Sequence, residues 1–194
     1  MNFPEYVEIE NTKYKINTDF RNAIKCNEIA EDNTIGDCER ALAIIYVLFG
    51  DEGLNATKHH SELIKLAEKF LKCGKENNFE KTEKRDMDFI EDYNYIEASF
   101  MSDYKIDLSN THMHWWKFMN LIEGLSNSEM GNCCVLNRIR NLRNFNLAEI
   151  KDSKEREKVR KMKNAVELKK NKKKANREQE QSARDFYKEF LRKE

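Results

Sequence analysis

Histidine and cysteine side chains are the first candidates for chemistry, because both residue types bind metals and both serve in catalysis. The close groups are His59 with His60, His112 with His114, and Cys133 with Cys134. Structural zinc sites usually use C-x₂₋₄-C or H-x₃₋₅-H spacing, since neighbouring ligands must converge on one ion. Neither spacing occurs here, and adjacent cysteines on a helix point apart. The sequence therefore predicts small buried thiols and no metal.

An acidic run, DMDFIEDY at residues 86–93, could hold a divalent cation. Its carboxylates belong to Asp86, Asp88, Glu91 and Asp92. Acidic residues at the start of a helix also stabilise the positive end of the helix dipole, and we favour that interpretation. The motifs GxxxxGK[ST], GxGxxG, GxSxG and HExxH are absent. We therefore expect no enzyme, no cofactor and no small-molecule substrate.

The segment HMHWWKFMNLIEGL, residues 112–125, concentrates aromatic and apolar side chains. On a helix that Asp107 or Ser109 caps and Gly124 ends, its large side chains cover one broad surface. These side chains are Trp115, Trp116, Phe118, Met119 and Ile122. Such residues fill a core or a subunit interface more often than they bind a cofactor. We predict a packing helix with these five as core or interface residues.

Composition indicates the class of elements that must position these residues. The chain has 194 residues, of which 39% are hydrophobic and 36% charged, with one proline and six glycines. So few turn residues argue against an all-β fold and predict a mainly helical one. The five cysteines are an odd number, and no apolar leader follows Met1. The longest apolar run, residues 41–50, is half as long as a membrane-spanning helix. We therefore expect a cytoplasmic protein without a membrane partner.

Periodicity predicts the order of the elements. VEIENTKYKI at 7–16 alternates as a small hairpin would. A helix that Thr18 or Asp19 caps follows, a second runs from about Asp37 to Gly50, and a third runs from about Ser61 to Gly74.

The second half continues the helical pattern after a polar surface loop at 75–85. Asp86 and Asp88 begin a fourth helix, Ser126 caps a helix through Val135, and Asn146 begins a capping box with Glu149. A long charged helix is predicted to end the chain.

Charge is unevenly distributed along the chain. Residues 1–150 carry 18 basic and 26 acidic residues, a net charge of −8, and residues 151–194 carry 17 and 9, a net charge of +8. We therefore predict a helical body at 1–150 and a charged helical extension at 151–194. The basic extension could bind nucleic acid non-specifically, but interleaved acidic residues favour a solvated helix instead.

The last segment, SARDFYKEFLRK at 182–193, carries a short apolar stripe at helical spacing. Its residues are Phe186, Tyr187, Phe190 and Leu191. An isolated helix of this length is marginal in water, so the stripe needs a surface on which to dock. We predict that it binds a partner or another copy of the chain, the alternative being that it folds back onto the body.

Four pieces in order resemble one family. They are KYKINTDFR (13–21), DYNYIEASFMSDYKIDL (92–108), HWWKF with its following LIEGL (114–125), and IKDSKEREKVRKMK (150–163). Over residues 3–168 the chain is similar to the bacteriophage family named for gene product fifteen, found in siphovirus tail modules and prophages. The resemblance implies a small helical protein encoded beside the tape-measure gene, with the HWWKF helix in its core and no catalytic residues.

The resemblance implies a tail assembly chaperone that acts in the host bacterial cytoplasm. Its partners would be the tape-measure protein or other tail-module proteins, with self-association as a further property. Two alternatives stay open: a structural tail component that remains in the virion, and a nucleic-acid-binding module that uses the basic extension. The lysine-rich extension beyond residue 168 departs from the family pattern.

Overall fold

A computed structural model describes residues 3–75, 85–127, 133–169 and 171. In these residues the protein is mainly helical with a small N-terminal hairpin, as predicted. The strands are β1 (Tyr6–Ile9) and β2 (Thr12–Lys15). The helices are α1 (Phe20–Glu31), α2 (Asp37–Asn55), α3 (His60–Leu71), α4 (Tyr93–Tyr104), α5 (Trp115–Glu123), α6 (Val135–Asn144) and α7 (Ser153–Ala165). Short 3₁₀ turns lie at Thr57–His59 and Leu147–Glu149.

The chain forms two compact units that alternate along the sequence. Unit 1 contains Met1–Glu80 and Tyr104–Leu125, and unit 2 contains Lys81–Asp103 and Ser126–Glu194. Helix α7, from the predicted extension, belongs to the same unit as α6. Most of that extension, residues 172–194, lies outside the described part of the chain, so the division near residue 150 stays a prediction.

The predicted hairpin forms, with a two-residue loop and a clear inner face. Val7 pairs with Tyr14, and Ile9 pairs with Thr12, in an antiparallel register. Glu10 and Asn11 form the turn with φ of 47° and 66°, the left-handed backbone that matches the twist of a two-residue hairpin. Buried side chains of Ile9 and Tyr14 show that this face packs against the rest of unit 1.

Helix α2 begins at Asp37 as predicted, and Gly50 interrupts it rather than ending it. Gly50 has φ 63° and ψ −157°, and helical backbone resumes up to Asn55. The carbonyls just before the interruption lose their helical partners. Asn17, which follows β2, donates its side-chain amide to Val47 O at 2.9 Å and its backbone N–H to Leu48 O at 2.7 Å. The kink is therefore stabilised by the hairpin side of unit 1.

We expect Gly50→Ala to lower the free energy of unfolding by about 1–3 kcal/mol, because only glycine adopts this backbone conformation readily. An added Cβ would meet nothing within 4 Å, so the cost is conformational and not steric. Urea denaturation of the variant and of the wild type measures the difference, and equal stabilities would contradict this account of the kink.

Helix α3 ends with the glycine that the sequence predicted. Cys73 and Gly74 have φ of 55° and 71°, and the Gly74 N–H donates to Lys69 O at 2.9 Å. The Cys73 N–H donates to Phe70 O at 3.0 Å. These two bonds form a Schellman motif, in which left-handed residues close the last helical turn.

Helix starts in the second half differ from the prediction. Helix α4 begins at Tyr93, because Asp88 instead closes a preceding turn by accepting from the N–H groups of Ile90 and Glu91 at 2.9 and 3.0 Å. The predicted Ser126 cap is also wrong. Helix α6 begins at Val135, and the Cys134 thiol accepts from the Asn137 N–H at 3.5 Å.

The predicted start of α5 at Asp107 or Ser109 is wrong as well. Asp107 caps its own turn, accepting from the Ser109 N–H at 2.9 Å and the Asn110 amide at 2.7 Å. Helix α5 begins only at Trp115. Residues 105–114 are therefore a loop, and not the first turns of a helix.

Side chains from outside the helix satisfy a carbonyl near the C-terminus of α2 and another near that of α5, where helical donors are missing. His60 Nε2 donates to Leu54 O of α2 at 2.9 Å. The Tyr104 hydroxyl donates to Leu121 O of α5 at 2.9 Å.

The polar segments of the second half are described only in part. Asn146 caps a 3₁₀ turn, accepting from the Ala148 N–H at 3.1 Å, where a capping box was predicted. Helix α7 ends at Ala165, and residues 172–194 of the predicted long final helix lie outside the described residues. So do residues 76–84 of the predicted surface loop. Within the described ranges, every helix is too short or too polar to cross a bilayer.

Candidate functional site

Both tryptophans of α5 bind the C-terminal end of α3. The Trp115 indole N–H donates to Leu71 O at 2.9 Å, and the Trp116 indole N–H donates to Phe70 O at 2.8 Å. These carbonyls belong to the last turn of α3, where the regular i+4 helical donors are missing, and Phe70 O also accepts from the Cys73 N–H. The two indoles therefore fix the end of α3 against α5.

The five predicted core or interface residues divide into two groups. Trp115, Phe118 and Ile122 are buried, and Phe118 stacks on Phe20 with ring centroids 4.4 Å apart. Trp116 and Met119 keep part of their side chains exposed. The same short helix therefore supplies core to unit 1 and places apolar surface beside it.

His114 starts α5, a role that the sequence analysis missed. Its Nδ1 accepts from the Trp116 N–H at 3.1 Å, which satisfies one of the unpaired amides at the helix start. Its Nε2 donates to Pro4 O at 3.0 Å. A polar residue just before the apolar run WWKF was the signal that could have identified this cap.

The loop before His114 is held by the start of α1. Asp19 caps α1 by accepting from the Arg21 N–H at 3.0 Å, as the sequence predicted. The Thr18 carbonyl accepts from the Trp115 N–H at 2.7 Å. Burial raises the pKa of Asp19, but hydrogen bonds from the Arg21 backbone and guanidinium outweigh it and hold that pKa below its usual value. Asp19 is therefore a charged anchor where the two helix starts meet.

Three half-buried rings form a continuous surface, which we name the aromatic patch: Phe3, His114 and Trp116. Phe3 stacks on His114 with centroids 4.9 Å apart and meets Trp116 edge-on at 6.3 Å. His114 and Trp116 also meet edge-on at 6.3 Å. Each ring is fixed by its neighbours, so the patch presents preordered aromatic area to the solvent.

The other zinc candidates have structural partners. His59 Nδ1 lies 2.6 Å from the Tyr14 hydroxyl. All five cysteines are free thiols, and burial raises the pKa of Cys26 to about 12 and that of Cys73 to about 11. In the described part of the chain, no three His, Cys, Asp or Glu side chains are grouped as the ligands of one ion would be.

The acidic run is engaged in protein contacts of unit 2. Asp92 accepts from Arg143 Nη1 and Nη2 at 2.6 and 2.7 Å, and their side chains are 1% and 4% exposed. Arg143 also donates to Asp86 O at 2.8 Å and to Val166 O at 2.6 Å. This guanidinium therefore joins α6 to the segment before α4 and to the end of α7.

The predicted partner-binding stripe lies outside the described residues. It comprises Phe186, Tyr187, Phe190 and Leu191.

Comparison with known proteins identifies the family. The chain matches the family model described as Bacteriophage Gp15 protein over residues 2–168. No curated protein and no solved structure gives a significant match. Because the matched range covers most of the 194 residues, the chain belongs to the Bacteriophage Gp15 protein family.

Proposed function

We propose that this protein is a non-enzymatic tail assembly chaperone, which binds the tape-measure protein in the host cytoplasm before the tail tube polymerises around it. Membership in a bacteriophage family supports a phage role. The resemblance of the four sequence pieces implies a gene beside that of the tape measure, and this supports the choice of partner.

The observation that carries the proposal is the aromatic patch of Phe3, His114 and Trp116. Tryptophan and other aromatic side chains supply much of the binding energy at protein interfaces, especially where rigid neighbours hold them. A surface of half-buried, stacked rings can bind the apolar face of an amphipathic helix, whose side chains are spaced three and four residues apart. A long helical tape-measure protein offers such faces before it is enclosed.

Co-expression with the tape-measure protein tests the proposal. We expect the chaperone to raise the soluble fraction of the tape measure and to co-purify with it. Phe3→Ser should weaken this binding by about tenfold, since truncating a central interface aromatic commonly costs more than 1 kcal/mol. Tyr6→Ser is the matched control, because Tyr6 is an exposed aromatic of the same unit outside the patch.

Equal tape-measure solubility with and without this protein, or a Tyr6→Ser loss as large as that of Phe3→Ser, would contradict the proposal. Mass spectrometry of purified particles separates a chaperone, which leaves, from a structural tail component, which stays at stoichiometric copy number. Salt-sensitive binding to nucleic acid that requires residues 151–194 would indicate the nucleic-acid-binding alternative.

A further inference from the structure

Helix α2 exposes a row of side chains on the face opposite to its buried one. Cys38, Leu42 and Tyr46 repeat every four residues and are all exposed, whereas Ile45 and Leu48 are buried. Leu42 is 39% exposed and Tyr46 is 52% exposed. We call Leu42 and Tyr46, with Cys38 at their N-terminal end, the α2 stripe.

Negative charge surrounds the start of the α2 stripe. Residues 28–40, from the end of α1 into the first turn of α2, contain five carboxylates and one cation, Arg40, which pairs with Asp37, so the net charge of this stretch is −4. These acidic residues are Glu28, Glu31, Asp32, Asp37 and Glu39, and we call them the acidic corner. Glu28 and Glu39 are exposed. A cluster of one sign raises the local concentration of oppositely charged groups.

The chain itself carries a segment with the complementary chemistry. Residues 169–177 contain six lysines and arginines and no acidic residue. The predicted apolar stripe of Phe186, Tyr187, Phe190 and Leu191 follows within twenty residues. The basic residues at 169–177 are therefore complementary in charge to the acidic corner, and the apolar stripe that follows them is complementary to Leu42 and Tyr46. If residues 182–194 form the helix that their spacing predicts, a helix of that length gains its stability from the surface on which it docks.

We propose that the α2 stripe and the acidic corner bind residues 182–194 of a second copy of this chain. The apolar side chains of the segment cover Leu42 and Tyr46, and its lysine-rich tether faces the acidic corner. Each copy offers one receptor surface and one ligand segment, so the contact is heterologous and not self-complementary. The proposal is independent of tape-measure binding, because it uses neither Phe3 nor Trp116.

Sedimentation velocity on the full chain, over a range of concentrations, tests the proposal with paired variants. Tyr46→Ser removes the receptor surface, and Phe190→Ser removes the ligand segment. Each variant alone should sediment as a monomer at concentrations where the wild type associates. An equimolar mixture should recover a complex, since the first variant keeps its ligand segment and the second keeps its receptor. Such complementation is specific to a heterologous contact.

Controls separate recognition from folding. Met162→Ser removes an exposed apolar side chain of α7 and should leave association unchanged. Leu42→Ser and Phe186→Ser provide a second receptor and ligand pair in case either first variant melts below the wild type. Raising salt from about 50 to about 500 mM should weaken association at least severalfold, because the contact joins exposed opposite charges.

Three results would overturn the proposal. One is a wild-type chain that stays monomeric at every concentration. Another is a mixture of Tyr46→Ser and Phe190→Ser that stays monomeric. The third is loss of association in Tyr46→Ser but not in Phe190→Ser, which would show that a different part of the chain covers the α2 stripe.

Discussion

Replacing Arg143 by methionine is expected to lower the free energy of unfolding by about 3–5 kcal/mol, because it leaves the Asp92 carboxylate buried without its counter-ion. Asp92 is 1% exposed, so water cannot replace the lost guanidinium. The carbonyls of Asp86 and Val166 lose a donor as well. Urea denaturation, followed by far-UV circular dichroism, measures the change.

Two further variants identify the cause of that loss. Arg138→Met removes an exposed arginine from the same helix and should change stability by less than about 0.5 kcal/mol. The double variant Arg143→Met/Asp92→Leu should be more stable than Arg143→Met alone, because replacing both members of a buried ion pair with apolar residues removes the unpaired charge. An Arg143→Met variant as stable as Arg138→Met would show that the ion pair contributes little.

Replacing Trp115 by alanine is the second change with a large expected effect, a loss of about 3–5 kcal/mol. Trp115 is 1% exposed and stacks on Phe118, with ring centroids 5.8 Å apart. Alanine would leave a cavity in unit 1 and would also remove the hydrogen bond to Leu71 O. Thermal and urea denaturation of the variant measure the loss.

Trp116 provides the comparison within the same helix. Trp116→Ala should cost less than Trp115→Ala, because part of the Trp116 side chain is already exposed. The loss of stability in Trp115→Phe should lie between the losses in Trp116→Ala and Trp115→Ala. Phenylalanine retains most of the packed ring but leaves Leu71 O without its indole donor. Near-native stability of Trp115→Ala would contradict the assignment of this side chain to the core.

Local signals in the sequence were sufficient to predict two helix starts and one helix end. Asp19 and Asp37 begin α1 and α2 as predicted, and Gly74 ends α3. At each of these positions the residue acts on its own backbone neighbours. An aspartate accepts from an amide two residues on, or places its charge in the first helical turn, and a glycine tolerates positive φ. Such effects are visible in a short stretch of sequence.

Starts that depend on distant segments could not be predicted in this way. Ser126 is a common cap type, but its hydroxyl donates to Asp103, 23 residues earlier, at 2.8 Å. At the start of α5, the Thr18 carbonyl of a distant segment accepts from the Trp115 N–H. Helical spacing placed Trp115 and Trp116 on neighbouring faces of one wide apolar surface, and it did not show that the first ring is buried and the second half-buried.

The ion pair of unit 2 illustrates the same limit for charged residues. Asp92 and Arg143 are 51 positions apart, and each stands in a stretch rich in charge. In the sequence Asp92 is one of four acidic residues before a helix, for which the dipole is a sufficient explanation. Asp88 is buried as well, and what distinguishes Asp92 is its pair of hydrogen bonds from the buried Arg143 guanidinium, which depends on tertiary packing.

Because side chains from outside a helix cap its end, the length of that helix depends on the tertiary structure of its unit. With six glycines in 194 residues, few helices can end on a glycine. Asn17 instead holds the kink of α2 and His60 holds its C-terminus, and at α3 the two indoles reinforce the Schellman motif that contains Gly74. The last turn of α3 should fray more readily whenever α5 is displaced, because Leu71 O and Phe70 O then lose their indole donors and only backbone bonds such as those of the Schellman motif close the turn. Secondary and tertiary structure in unit 1 should therefore be lost together, as one cooperative transition and not helix by helix.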